Sequence, residues 1–185
     1  MAPTREEALA LLHRHIQNER TRGHSLATEA VMRALALRFD EEPDFWGMTG
    51  LLHDLDLEIV GGDLTRHALV TEEILKGEGY DADMIAAIKS HNDMLGTGRE
   101  TTLQHALAAG ETITGLIMAT AMVYPDRKLA SVKAKSVVKR MKERAFAASV
   151  NRETILECEK IGIPLAEFAQ LCLEAMREIS DDLGL

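Results

Sequence analysis

The chain has 185 residues, of which 46% are hydrophobic, 28% charged and only 4% aromatic, with a net charge of −9. That length fits one domain, and that balance builds a core and excludes wholesale disorder. The acidic total argues against general nucleic-acid binding, where neutralising phosphates dominates affinity, yet eight basic residues and one acid crowd between Arg127 and Arg144. Such a local basic stripe suits a small phosphorylated ligand or an acidic partner helix, or it is a solvated helix face.

No apolar run approaches the roughly 18 residues a spanning helix needs, the longest lying around Gly115–Tyr124. The opening stretch Met1–Glu7 carries acids and no apolar segment, so no secretory leader is expected. Two cysteines, Cys158 and Cys172, exclude a disulfide scaffold; they read as core thiols and fit a cytoplasmic location.

In chain order, Thr4 and Glu7 form a capping box ahead of Leu9, Leu12 and Ile16, predicting a helix within 4–20. Gly23 is expected to break the chain, with a second helix over His24–Arg38. Pro43 sits at a helix start, and Phe45–Leu55 continues that helix. Gly61 and Gly62 mark a loop, after which Thr65–Lys76 reads as a helix ending at Gly77. Asp81 caps a helix that ends near His91, and Asn92–Arg99 is a loop. From Thr102 the apolar positions run helically to Pro125 and cover most of the circumference, which places this helix centrally. Ser131–Arg144 is the basic helix, Asn151 caps another that ends near Gly162, and Pro164 opens a final helix to about Leu183. Strand signals are nearly absent, so the predicted fold class is all-α.

Two polar residues stand out in the apolar stretch Thr49–Asp56: His53 and Asp54. Burying such groups without partners costs roughly 2–7 kcal/mol even for a neutral polar group, and a shared metal ion satisfies both. Consecutive helical residues diverge by about 100°, so further ligands must come from other helices. His24 and Glu111, the latter an acid among Ala108, Ala109, Ile113 and Leu116, are the candidates.

His24, then Leu51-Leu52-His53-Asp54, then an acid in a late central helix, resembles the HD superfamily of metal-dependent phosphohydrolases, specifically its small HDIG-type bacterial members. The resemblance covers about 22–124, with the N-terminal helix 4–20 and C-terminal helices 126–185 flanking that core in a single domain over 1–185. It implies a metal site of His24, His53, Asp54 and Glu111, with Glu111 standing where the family has Asp. By the same resemblance His67 and His91 would hold a second ion and Asp54 would bridge the two. The donor set suits one or two divalent transition-metal ions, Mn, Fe, Ni or Zn.

The implied activity is hydrolysis of a phosphate ester or anhydride in a small metabolite or nucleotide by a metal-activated water, with His53 and Asp54 as the catalytic pair. Lys135, Lys139 and Lys142 share a helical face and could meet substrate phosphates. Two alternatives share the scaffold: a diiron oxygenase, and a module that binds a nucleotide or partner without turnover. His13, His15 and His105 read as structural or solvated. Asp56 and Asp93 read as solvated loop acids, with orientation of a ligand imidazole as their other reading.

Overall fold

A computed structural model describes residues 3–185; of the Met1–Glu7 stretch, Met1 and Ala2 lie outside the described residues. The chain is all-α, with no strand among the described residues. Helix α1 (Arg5–His15) begins with the expected capping box, in which the Thr4 hydroxyl accepts from the Glu7 N–H and the Glu7 carboxylate accepts from Thr4 N–H. Helix α2 (Glu19–Arg38) runs straight through Gly23 rather than starting after it. The Asn18 side chain accepts from the N–H groups of Arg20 and Thr21 and nucleates the helix early, and one internal glycine costs only about 1 kcal/mol.

Helix α3 (Pro43–Leu52) opens on Pro43 and is buried from Trp46 through Leu52. It crosses α2 so closely that a Cβ on Gly50 would stand 2.8 Å from the Thr28 carbonyl oxygen and 2.9 Å from Met32 Cγ. Helix α4 (Leu57–Val60) is one turn, and α5 (Leu69–Gly77) starts four residues later than its apolar pattern suggests. Two side chains take the missing turn. Asp63 accepts from the Thr65 N–H and hydroxyl, and the Asn92 amide donates to the carbonyls of Leu64 and His67. Those carbonyls are thereby withdrawn from a helix, and Ala68 turns the chain at φ 68° before α5 begins.

Helix α6 (Ala82–His91) is capped by Asp81. The central helix α7 (Thr102–Met122) packs against α2, α3, α6 and the C-terminal helices, as its nearly continuous apolar surface requires. Beyond it the elements are shorter than expected. The basic segment forms only α8 (Ala134–Arg140), and the region after Asn151 is two single turns, α9 (Arg152–Ile155) and α10 (Glu157–Lys160). Helix α11 (Leu165–Glu178) buries Phe168, Cys172, Leu173 and Met176 against α2 and α8, and α12 (Ser180–Leu183) closes the chain. Apolar side chains of α1, α2, α3, α6, α7 and α11 share one buried cluster, which includes both cysteines. No helix among the described residues is long and apolar enough to cross a membrane.

Candidate metal centre

Five segments converge at one end of the core. His24 lies on α2, His53 caps the C-terminus of α3 with Asp54 in the turn after it, His67 precedes α5, His91 ends α6, and Glu111 lies midway along α7. His53 is fully buried, and His67, His91 and Asp54 are nearly so. The His24 and Glu111 side chains, 22% and 19% exposed, form the open side.

The four imidazoles meet through their Nε2 atoms in two pairs. His24 Nε2 lies 3.1 Å from His53 Nε2, and His67 Nε2 lies 3.0 Å from His91 Nε2. Asp54 stands between the pairs. Its Oδ2 is 3.6 Å from His24 Nε2 and 3.4 Å from His53 Nε2, while its Oδ1 is 3.3 Å from His67 Nε2 and 3.5 Å from His91 Nε2. Glu111 Oε2 lies 3.8 Å from His24 Nε2.

The hydrogen bonds on the far side of each ring assign its tautomer. His53 Nδ1 donates to the Gly50 carbonyl at 2.7 Å, and His91 Nδ1 donates to the Ile88 carbonyl. His67 Nδ1 donates to Asp56 Oδ1 at 2.7 Å. The Thr114 hydroxyl donates to the Glu111 carbonyl at 2.7 Å, so it accepts from His24 Nδ1, 3.0 Å away. With Nδ1 protonated in all four rings, four Nε2 lone pairs face inward toward two carboxylates. Facing lone pairs at such distances cannot satisfy one another, and they need a proton or a cation between them. This donor set fits a divalent metal centre, each ring held in a metal-binding tautomer by an outer hydrogen bond.

Two overlapping triads, His24–His53–Glu111 and His53–Asp54–His91, each bring ligand atoms within 4.8 Å of one another. Burial, with the neighbouring His53 next, pushes the His24 pKa down to about 4. Burial also works against a proton on His67, but its bonds to Asp54 and Asp56 outweigh that and hold it up at about 9. His53 is raised despite its burial, chiefly by Asp54. Burial likewise opposes ionisation of Asp54, but His53 and the surrounding imidazoles keep it well below the usual carboxylate range. Glu111 is raised by burial.

Residues 21–122 match the HD-domain family. The chain belongs to the HD superfamily of metal-dependent phosphohydrolases. No curated protein and no solved structure matches the chain. The matched segment begins at α2 and ends with α7, so it holds all six of the converging residues, and HD domains bind divalent metals.

Three expectations need correction in this HD-domain chain. Asp56, read as a solvated loop acid, is fully buried: one oxygen takes the His67 Nδ1 proton and the other accepts from the Thr71 N–H at 3.0 Å. His53 and Asp54 are not two residues of a continuing helix, because α3 ends at Leu52 and the turn brings Nε2 and Oδ2 to the same side. Lys135, Lys139 and Lys142 are exposed on α8 and the turn after it, and none of them lines the cleft over the histidines. Helix α8 packs on α11 with Val137 buried, and its lysines stand on the exposed face.

Other readings stand. Asp93 is a largely exposed acid, paired with Arg99 at 2.6 Å, and His105 is structural, bonded to Glu157 at 2.7 Å. Sequence reasoning missed Asn92, Thr71 and Thr114, which hold the His67 turn, Asp56 and His24. Asn92 carried a visible signal in its place beside His91. The two threonines carried none.

Proposed function

We propose that the protein is a phosphohydrolase with two divalent ions, cleaving a phosphate bond in a small metabolite or nucleotide by a metal-activated water. His24, His53 and Glu111 would hold the first ion and His67 and His91 the second, with Asp54 available to both. The observation that carries this reading is the single carboxylate of Asp54 offering one oxygen to each pair of inward-facing Nε2 atoms. Divalent ions there supply Lewis-acid polarisation of a phosphoryl oxygen and a nucleophilic water at neutral pH.

The chain's own groups do the rest. Asp54 stays ionised because His53 and the other imidazoles depress its pKa against its burial. The Thr112 hydroxyl donates to the Glu111 carboxylate and orients it at the open side. Met94 and Leu64, both exposed, line the cleft beside the histidines. His, carboxylate and open positions together favour Mn, Fe, Ni or Zn.

Elemental mass spectrometry on chelator-free protein, paired with phosphate release from a panel of esters and anhydrides, tests the proposal. We expect close to two ions per chain and hydrolysis that Asp54→Ala or His53→Ala abolishes, with the helical circular dichroism retained. Undiminished hydrolysis by chelator-treated Asp54→Ala protein would sink it. Two irons with oxygen uptake and no phosphate release would put the oxygenase reading in its place.

A further inference from the structure

The cleft above the histidines has a volume of about 410 Å³, which suits one small ligand. Its far wall comes from outside the family-matched segment: Ser149, Val150, Asn151 and Thr154. This wall is built firmly. Arg152, 7% exposed, donates to the carbonyls of Ala147 and Val150 at 2.7 Å each and also to those of Phe146 and Glu143. A Cβ on Gly115 would meet Val150 Cγ2 at 3.5 Å, so the wall rests on α7 one turn beyond Glu111.

The wall's chemistry is neutral. Asn151 uses its oxygen to cap α9, accepting from Glu153 N–H at 3.0 Å, and its amide nitrogen has no partner among the described residues. The Thr154 hydroxyl likewise donates to no group there. Among the described residues no lysine or arginine lines the cleft, whereas Asp54, Asp93 and Glu111 do. Arg99, the basic residue beside it, is 8% exposed and engaged with Asp93, Glu157 and the His91 carbonyl. Arg20, one turn before His24, acts on that ring only from outside the lining.

Charge then limits the ligand. Two divalent ions set against the Asp54 and Glu111 carboxylates leave two positive charges at most, and buried Asp56 reduces that further. A phosphomonoester carries roughly −1.5 to −2 at pH 7 and comes nearer to that charge than a polyphosphate does. A triphosphate would bring about two further negative charges into a cleft whose lining offers no lysine or arginine to receive them, and Arg99 is already paired with Asp93.

We propose that the cleft takes a small phosphomonoester with an uncharged, hydroxyl-bearing body, and that Asn151 and Thr154 form the wall that reads this body. The inference rests on the phosphohydrolase reading and narrows it. A water oxygen bonds to phosphorus, the bond from phosphorus to the ester oxygen breaks, and the water's proton ends on that oxygen. The products are an alcohol and inorganic phosphate.

The test compares adenosine 5′-monophosphate, glycerol 3-phosphate, p-nitrophenyl phosphate and adenosine triphosphate on manganese-loaded full-length protein. The expected kcat/KM for the best hydroxylated monoester exceeds that for the triphosphate by about 100-fold. Asn151→Asp keeps the helix cap, since Asp caps as well as Asn. It should lower monoester kcat/KM about tenfold, mainly through KM, with bound manganese unchanged. Ser149→Lys should raise triphosphate kcat/KM about tenfold at the same manganese content. A triphosphate hydrolysed as well as the monoesters, or a ratio that neither substitution moves, overturns the inference and leaves the phosphohydrolase reading intact. No phosphate release from any of the four compounds overturns both.

Discussion

The two halves of the candidate centre are built differently. His24 and His53 stand on α2 and α3, which cross at Gly50 with no room for a Cβ, and their outer partners are a threonine hydroxyl and a backbone carbonyl. His67 stands on a turn that passes through Ala68 at positive φ, and its outer partner is the buried carboxylate of Asp56. The first half is therefore positioned by packed helices, whereas in the second only His91 ends a helix and His67 is positioned by a chain of side-chain hydrogen bonds through Asp56, Thr71 and Asn92. Packing is hard to displace by one substitution, whereas a hydrogen-bonded turn is lost with its anchor. The second half should be the one that gives up its ion first.

Asp54→Asn tests what the halves share and carries the largest expected effect. An amide offers one oxygen in place of two, so both ions should be lost and hydrolysis with them, which metal analysis and phosphate release report together. Two ions retained in that variant would show that Asp54 does not serve both pairs.

Single-ligand variants separate the halves. His67→Ala should bring the metal content from two ions per chain to one and stop hydrolysis, with the remaining ion retained through dialysis. Asp56→Asn should do less, weakening the second ion by about 10–100-fold while leaving the first, as loss of an outer partner does elsewhere. Equal loss of both ions in Asp56→Asn, followed by competition with a coloured chelator, would dissolve the distinction between the halves.

A stability measurement sharpens the same contrast from the other side. Gly50→Ala forces a methyl against the Thr28 carbonyl and Met32. Overpacking of this kind costs about 1–3 kcal/mol, and for a chain of this size each kcal/mol moves Tm by roughly 2–4 °C. Asn92→Ala, which removes the two bonds to the Leu64 and His67 carbonyls, should instead lower affinity for the second ion more than it lowers Tm. A lower Tm in Asn92→Ala than in Gly50→Ala would reverse the assignment of packing to one half and hydrogen bonding to the other.

The same division governs what could be read from the residues alone. Capping boxes and apolar periodicity are local, so the all-α class, the Thr4 and Asp81 caps and the central place of α7 followed directly. Of the ligand candidates, His53, Asp54 and Glu111 stood out because they are polar in apolar stretches, His24 was a candidate partner from a neighbouring helix, and His67 and His91 entered through the family resemblance. What was illegible depends on long-range hydrogen bonds: Asp56 to Thr71 across 15 positions, Asn92 to Leu64 across 28, and Thr114 to His24 across 90. The late start of α5 is the same effect, since a side chain 28 positions away takes the carbonyl that a continuing helix would need. The basic segment failed for a different reason. Charge spacing shows that residues share a face of a helix but not where that face points, and Lys135 and Lys139 face outward.

A last expected effect, which needs no substitution, is a dependence on pH that belongs to His67. Its pKa, held up at about 9 by Asp54 and Asp56 against its burial, means that the ring carries a proton at neutral pH. An ion entering the second half must displace that proton. Apparent affinity for the second ion should therefore rise by up to about tenfold per pH unit from about pH 7 and flatten above about pH 9. His24, pushed down to about 4, contributes no such slope across this range. Asp56→Asn removes one of the two carboxylates that sustain the His67 proton, so the flattening should begin at lower pH even as the affinity at high pH falls. Calorimetric titrations in two buffers of different ionisation enthalpy give the protons released per ion. A release that is unchanged between pH 7 and pH 9, or that Asp56→Asn does not alter, would mean that the second ion does not bind through His67.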